Sequence, residues 1–533
     1  MQKLTPSVTK ETLNRIFTVP ESADSTLGRI EKSISENLLG FLKESIVASN
    51  TAPSALEDQF RDFAIPEKPV YVSEQAEYLM DKVVSQSVHV ASPKFIGHMA
   101  SALPYFMLPL SKMMIALNQN LVKIETSKAF TPLERQVIAM LHHLVYRQDD
   151  PFYSRHIQNH ETALGVFCSN GTIANITALW VAVNKLFPAD GDFEGLSEEG
   201  LYAALQHYNK KGLAILVSER GHYSLRKAAN LLGIGKKNLI SIPTDASSKV
   251  QMTALKEKIT ELTSNGIAVA AIVGIAGTTE TGSVDPLAAL AELCQKEGIH
   301  FHVDAAWGGP TLFSTQHSYL LDGIEKADSV TFDGHKQLYV PMGAAFALFK
   351  DPGSLSSVEH YAEYIIRKGS RDLGRTTLEG SRSGMAMLVH SGFRIMGRLG
   401  YELLIDTGLE KAKAFAAMIE KAEDFELITA PELNILTYRY VPRKVSAQLE
   451  TADMEQRLRI NEHINRLTVT IQKDQRERGQ SFVSRTSLKL DRYDQQKINV
   501  FRVVLANPLT EIEHLQEILD EQREIAVGLL QAD

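Results

Sequence analysis

The chain has 533 residues, 44% hydrophobic and 23% charged, with a formal net charge of -8 at pH 7. Single cores stop growing at roughly 250 to 300 residues, so one large domain with smaller companions is expected, and the acidic balance argues against nucleic acid or an anionic membrane as partner. The two cysteines, Cys168 and Cys294, are far apart and have no Cys or His at ligand spacing, which excludes a disulfide framework and a structural zinc site; no metal is expected.

In chain order, the opening "MQKLTPSVTKETLNRIFTVPESADS" has no charged segment leading into an apolar run and a cleavage site, so a cytoplasmic protein is expected. Residues 1–90 combine polar helical stretches such as "STLGRIEKSISENLLGFLKESIVAS" with the Pro-bearing "AIPEKPVYVS", and read as a helical arm that packs on a partner subunit. Over 91–400, the apolar runs "GLAILVSE", "IAVAAIVGIAG", "IHFHVDAA", "DSVTFDGH" and "AAFALFK" alternate with helical patterns. That alternation predicts βαβ units and a mostly parallel sheet covered on both faces. The longest apolar run, from Ile267, is about half the roughly 20 residues a membrane-spanning helix needs and reads as a buried strand. Residues 401–533 carry the helix "LEKAKAFAAMIEKAED", the strands "FELITA", "NILTYRYV", "SFVSRTSLKL" and "NVFRVVLANP", and a final helix, a small α+β domain.

In an open parallel sheet, ligands bind beyond the carboxyl ends of the strands, so the polar residues that follow each predicted strand form one candidate set. "SNGTIAN" opens a helix after "ALGVFCS", and Ser169, Asn170, Gly171 and Thr172 place backbone N–H groups and a positive dipole end where a phosphate can bind; the same residue types also cap helices. His222 lies in the loop after "AILVSE", where a lone histidine is commonly structural. "GTTETGSVD" follows "AAIVGIA" and also reads as an ordinary turn. Asp304 ends "IHFHVD", and a buried carboxylate there needs a partner; Lys336 follows "SVTFDGH". One ligand accounts for all five positions: pyridoxal phosphate. It needs a lysine for its aldehyde, a carboxylate for its ring nitrogen, an aromatic cover and a phosphate turn.

These segments, "SNGTIAN", "SERGHYSLRKAA", "AGTTETGSVD", "HVDAAWGG" and, 32 positions after Asp304, the lysine of "DGHK", resemble the group II pyridoxal phosphate-dependent amino-acid decarboxylases, from about Phe95 nearly to the C-terminus. The resemblance implies the aspartate aminotransferase type of fold (fold type I), with a seven-stranded, mostly parallel sheet, in a homodimer with active sites at the subunit interface. It assigns Lys336 to the Schiff base, His335 to a place near the phosphate, Asp304 to the ring nitrogen, Ala306 beneath the ring and His222 above it. Thr279 is placed near the phenolic oxygen, and Ser169, Gly171 and Thr172 in the phosphate turn. "LEGSRSG" resembles a segment that sends a serine, Ser381, to the neighbouring subunit's phosphate. Asp333 departs from the pattern, since relatives often carry Asn or Ser there, and a carboxylate beside a phosphate is unfavourable.

The same resemblance implies α-decarboxylation, with a loop tyrosine returning a proton to the α-carbon; "SVEHYAEYIIRKGSRDLGR" nominates Tyr364 ahead of Tyr361, and both also read as ordinary loop aromatics. "INVFRVVLANP" nominates Arg502 as reader of a substrate carboxylate, a task suited to a bidentate guanidinium, with an interdomain salt bridge as the alternative. "ALNQNLVKIETSKAFTPLE" nominates Asn118 and Asn120, with Lys123 as a further cation. Within the group the chain looks most like the bacterial enzymes that convert aspartate to β-alanine for pantothenate. Glutamate, then an aromatic amino acid, are the alternative substrates, because one methylene leaves little trace in sequence. A cofactor-binding homologue without turnover is the alternative of a different class.

Overall fold

The computed structural model describes residues 26–43, 47–362, 366–367 and 369–532. After helix α1 (Thr26–Lys43), the chain passes through α2 (Met107–Leu117) and α3 (Phe130–Tyr146) before entering the large sheet at β1 (Gly165–Cys168). There follow α4 (Gly171–Leu186), β2 (Gly212–Ser218), α5 (Tyr223–Leu231), β3 (Leu239–Ile242), α6 (Met252–Ser264), β4 (Ile267–Ile275), α7 (Leu287–Glu297), β5 (His300–Asp304), β6 (Ser329–Asp333) and β7 (Ala345–Phe349).

The seven strands lie in the order β1-β7-β6-β5-β4-β2-β3. Only β7 is reversed: its pairings with β1 and β6 are antiparallel, and β6-β5-β4-β2-β3 pair in parallel. The expected mostly parallel, seven-stranded sheet of the type I fold is therefore present. Its strands form where Val, Ile and Ala runs can be buried on both faces; β4, "IAVAAIVGI", is buried at every residue after the first. Helix α4 crosses one face against β4, β6 and β7, and α7 packs on β4 and β5. The main core joins Phe301, Val303, Phe332, Leu338 and Leu348.

The second sheet is antiparallel, β10-β11-β9-β8, from β8 (Phe425–Thr429), β9 (Ile435–Tyr440), β10 (Ser484–Lys489) and β11 (Lys497–Val504). Helix α8 (Ala386–Lys421) leads into it, and α9 (Met454–Arg478) and α10 (Ile512–Ala532) pack against its strands. Its own core includes Phe415, Tyr438, Phe501 and Leu515. Position 400, the expected boundary, lies inside α8, next to a kink where Gly397 takes φ 62° and ψ 179°. Residues 95 and 96, near the start of the expected large domain, hydrogen-bond to strands of this second sheet and its lead-in. Phe95 forms a parallel bridge to Phe482, the Ile96 N–H donates to Phe482 O at 3.0 Å, and Val504 N–H donates to Ile96 O at 2.7 Å. An extended segment there completes backbone hydrogen bonds that would otherwise be buried unpaired.

Among the described residues no helix is long and apolar enough to cross a membrane.

Candidate active site

Strands β1, β2, β4, β5 and β6 end on the same side of the sheet, and the loops leaving them surround a cavity of about 620 Å³. That volume lies within the range of about 300–1,000 Å³ usual for small-molecule sites. Asn170, Gly171, Thr172, His222, Thr279, Asp304, Ala306, His335, Lys336 and Arg502 all line it. Asn170 to Lys336, spread over some 165 residues, thus meet at one place because parallel strands deliver their carboxyl ends to one edge, and Arg502 joins them from the second sheet.

Asn170 caps α4: its side chain accepts from Ile173 N–H, and its carbonyl accepts from Ala174 N–H. The helix itself supplies no partner for the N–H groups of Gly171 and Thr172, its first two residues. Gly171 is required by proximity, since a Cβ there would stand 3.0 Å from Asp333 Oδ2 and 3.6 Å from the Ala306 side chain. Ser169 lies just outside the cavity. Its N–H donates to Glu379 Oε2 at 2.8 Å and its hydroxyl accepts from Asn170 Nδ2 at 3.0 Å.

Asp304, at the end of β5, is 6% exposed. Its Oδ2 accepts from Asn175 Nδ2 at 2.9 Å and its Oδ1 from Ala306 N–H at 3.2 Å. Asn175 also donates to Ser224 Oγ at 3.0 Å and its carbonyl oxygen is 3.0 Å from His302 Nε2. Ser224 in turn meets His222 Nδ1 at 2.7 Å. Burial holds the His222 imidazole below its ordinary pKa, favouring a neutral ring, against an opposing pull from Asp304.

Lys336 sits one short turn past β6. Its amine lies 3.4 Å from Asp333 Oδ2, and His335 Nδ1 lies 2.9 Å from Asp333 Oδ1. The departure at position 333 is therefore a buried counter-ion for its own turn. The turn is also tied to the second sheet: Gln337 donates to Trp307 O at 2.9 Å and accepts from Asn434 Nδ2 at 2.7 Å, while Trp307 Nε1 donates to Asn434 Oδ1 at 2.9 Å.

Arg502, on β11, reaches the cavity from the second sheet. Its Nε donates to Thr279 O at 2.6 Å and its Nη1 to Gly97 O at 3.2 Å. Among the described residues its buried Nη2 has no hydrogen-bond partner. Burial lowers its pKa to about 10, which leaves it charged at neutral pH. Arg220, Lys227, Lys336 and Arg502 face Asp304 and Asp333 across the cavity, so the lining is net cationic. The alternative for Arg502 was an interdomain salt bridge; among the described residues its hydrogen-bond partners are two carbonyls and the Ser484 hydroxyl.

Other nominated residues lie outside this cavity. Asn118 ends α2 in the left-handed region with φ 44°. Asn120 Nδ2 donates to Ser381 Oγ at 3.0 Å and its Oδ1 accepts from Val122 N–H at 3.1 Å. Neither lines the cavity, and the Asn120 side chain is committed to Ser381 and the Val122 N–H instead. Lys123 pairs with Glu125 at its own turn. Tyr361 is 47% exposed, with its hydroxyl donated to Glu359 Oε2 at 2.5 Å. Tyr364 lies outside the described residues.

Sequence reasoning missed Asn175 and Arg220, which both line the cavity. Asn175 sits one helical turn after Gly171, on the same face of α4, and an amide within "IANITALWVAV" is a buried-polar signal. Arg220 follows the end of β2 by two positions, and was overlooked beside His222.

The donor set fits pyridoxal phosphate: open N–H groups beside a glycine for a phosphate, a buried carboxylate held by two donors for the ring nitrogen, and a primary amine for the aldehyde.

A profile of the pyridoxal-dependent decarboxylase conserved domain matches residues 53–441. Aspartate 1-decarboxylase of Aliivibrio fischeri is 61% identical over 516 residues, covering 97% of this chain and 94% of that protein. Acidic amino acid decarboxylase GADL1 of Homo sapiens is 28% identical over 448 residues, covering 82% and 78% respectively. Among solved structures, mouse CSAD in apo form superposes with a TM-score of 0.79 at 24% identity, covering 93% of this chain and 98% of that one. Oryza sativa TDC with PLP and tryptamine gives 0.81 at 20% identity, covering 96% and 99%; these two likenesses concern the fold. The sheet, the cavity and the sequence match together establish that this chain belongs to the pyridoxal-dependent decarboxylases, enzymes that use pyridoxal phosphate.

Proposed function

We propose that the chain decarboxylates L-aspartate at its α-carbon, giving β-alanine and carbon dioxide, and so supplies β-alanine for pantothenate. The observation that carries the substrate is the 61% identity to an aspartate 1-decarboxylase across 97% of the chain. The cationic lining, with Arg502 Nη2 lacking a partner, supports an acidic substrate.

The bond to the α-carboxylate breaks, and a bond from the same carbon to a proton forms. Pyridoxal phosphate, when bound, supplies the electron sink for the pair released by that cleavage. Lys336 holds the cofactor covalently, and Gly171 and Thr172 bind its phosphate through backbone N–H groups, with Ser169, Asn170 and His335 flanking them. Asp304, steadied by Asn175 and the Ala306 N–H, keeps a proton on the ring nitrogen. His222 and Ala306 would hold the cofactor's ring, and Thr279 would hold its phenolic oxygen. Arg502 fixes a substrate carboxylate, which orients the scissile bond. Tyr364 returns the proton; Tyr361, engaged with Glu359, is the lesser candidate.

The working unit we infer is a homodimer in the cytoplasm, with Ser381 serving the neighbouring site and residues 1–90 as the arm. Exposed Leu103, Leu108, Ile115, Leu117, Leu399 and Leu403 support a covered apolar surface. Residues 91–400 and 401–533 serve as the large and small domains in this reading.

Separate incubation of holoenzyme with L-aspartate, L-glutamate and L-tyrosine, followed by product analysis, tests the substrate. β-Alanine is expected to form fastest; γ-aminobutyrate forming faster would overturn the choice of aspartate.

A further inference from the structure

Three buried polar atoms without hydrogen-bond partners occur close to one wall of the cavity: Arg220 Nε, Arg502 Nη2 and Glu280 Oε2. A buried donor left unpaired costs about 1–3 kcal/mol, so two guanidiniums with spare donors on one cavity are an expensive arrangement in a protein that binds nothing there. Arg220 lines the cavity together with Arg502, and its side chain is only 10% exposed. Its contacts are long: Nη2 is 3.5 Å from Lys489 O and 3.9 Å from Glu219 Oε1. Arg502 is held more firmly, at 2.6 Å from Thr279 O.

Glu280 links the two. Burial raises its pKa, against opposing pulls from its own backbone N–H, then Arg220, then Arg502. A carboxylate near both guanidiniums offsets their mutual repulsion and lets two cations share a small space. The acceptor that completes such a pair is a second carboxylate, brought by the ligand, because it offers two oxygens and about four lone-pair sites to planar forks. Neutral side chains have nothing equivalent to offer.

We propose that Arg220 is a specificity-determining residue that acts with Arg502 to bind the distal carboxylate of a dicarboxylic amino acid. This rests on the acidic-substrate reading above and adds the group that distinguishes an acidic from a neutral side chain. Arg502 is the anchored member. Arg220, with only long contacts of its own, closes on the carboxylate when it arrives.

The test uses cofactor-loaded wild type, Arg220→Gln and Arg220→Lys. Steady-state rates on L-aspartate are measured, with inhibition by succinate, a four-carbon dicarboxylate, and by butyrate, its monocarboxylic counterpart. Arg220→Gln is expected to raise KM for L-aspartate by at least about 10-fold, and the succinate inhibition constant by a similar factor, as for loss of a charge-assisted bidentate contact. The expected kcat stays within about 3-fold, as for lost binding that is equal in ground and transition states. Butyrate inhibition should not change, and Arg220→Lys should regain part of the affinity, which a merely structural arginine would not do. KM and succinate inhibition within twofold of wild type, at unchanged melting temperature and cofactor absorbance, would overturn the proposal. If Arg220→Gln does not fold, Arg220→Lys decides by the same two constants. Failure of the substrate reading shows separately, as wild type that decarboxylates no acidic amino acid; succinate binding equal in wild type and variant then overturns the role of Arg220 as well.

Discussion

Asp333 Oδ2 lies 3.4 Å from Lys336 Nζ, and both side chains are largely buried, at 3% and 17% exposure. A carboxylate three residues before the reactive lysine pairs with it, and the other carboxylate oxygen lies 2.9 Å from His335 Nδ1. In cofactor-free protein, Asp333→Asn should lower unfolding free energy by about 1–3 kcal/mol, because a buried cation loses its partner. Urea denaturation would show this as a lower midpoint at unchanged slope. An unmoved midpoint would mean that the ion pair contributes nothing.

Asn175 gives Asp304 one of its two donors while joining it to Ser224 and His302. Asn175→Ala leaves a buried carboxylate oxygen and two further groups short of partners. The expected loss is about 2–3 kcal/mol of stability, together with weaker cofactor retention on dialysis, followed by visible absorbance. Asn175→Asp, which sets a second carboxylate beside Asp304, should be worse on both measures; retention equal to wild type in both variants would remove Asn175 from the site.

Much of this arrangement was legible before any coordinates. The strands of the large sheet are buried on both faces, so they stand out as runs such as "IAVAAIVGI", and the residues that follow them, Asp304 and Lys336, inherit a common location. Asn175 was not legible because its meaning depends on a partner 129 positions away. Arg220 carries no sequence signal of its own beside His222, and its burial and spare donor are what distinguish it. Asn120 and Ser381, nominated separately for the substrate and for the neighbouring subunit's phosphate, hydrogen-bond to each other outside their own chain's cavity, a pairing across 261 positions that no local pattern announces. Asp333 looked like an electrostatic misfit because sequence shows that His335 and Lys336 follow it but not that the turn folds their side-chain nitrogens back to within 2.9 and 3.4 Å of its carboxylate.

The covalent role of Lys336 has a direct chemical signature. Borohydride reduction of holoenzyme, followed by peptide mapping, should leave the cofactor's mass on the peptide that contains Lys336. Lys336→Ala should carry no such label and lose decarboxylase activity by at least about 1,000-fold, as expected when a covalent catalyst is removed. Label found on another lysine would refute the assignment.

Acid sensitivity follows from buried histidines. Burial lowers His142 from its ordinary 6.5 to about 4 and His300 to about 3, and also depresses His302, despite an opposing pull from Asp304. Folded pKa values lie below the unfolded ones, so the unfolded chain binds protons first as pH falls. Stability should therefore hold above about pH 6.5 and fall between 6.5 and about 4, by on the order of 1–3 kcal/mol for each histidine. Asp285 has the opposite sense: burial raises it from 3.8 to about 6, so it stabilises the fold at low pH and loses that contribution as pH rises through this interval. Three histidines outweigh one aspartate, and the net slope should remain acid-labile. Urea midpoints at pH 7.5, 5.5 and 4.5 would measure it, and His142→Gln should flatten the profile.

The two loop tyrosines make different predictions because their hydroxyls are differently committed. Tyr361 is exposed and donates to Glu359, which itself lies 3.3 Å from Arg375. That hydrogen bond also raises its pKa, making it a poorer acid. If Tyr364 delivers the proton to the α-carbon, Tyr364→Phe should cut turnover by roughly 100-fold or more, the scale of a lost general acid. Cofactor absorbance and melting temperature should stay as in wild type. Tyr361→Phe should keep turnover within about 3-fold, since a general acid is effective only within hydrogen-bond reach of the atom it protonates. The reverse ranking would transfer the role to Tyr361, and it would require that residue to leave Glu359 and enter the cavity during each cycle.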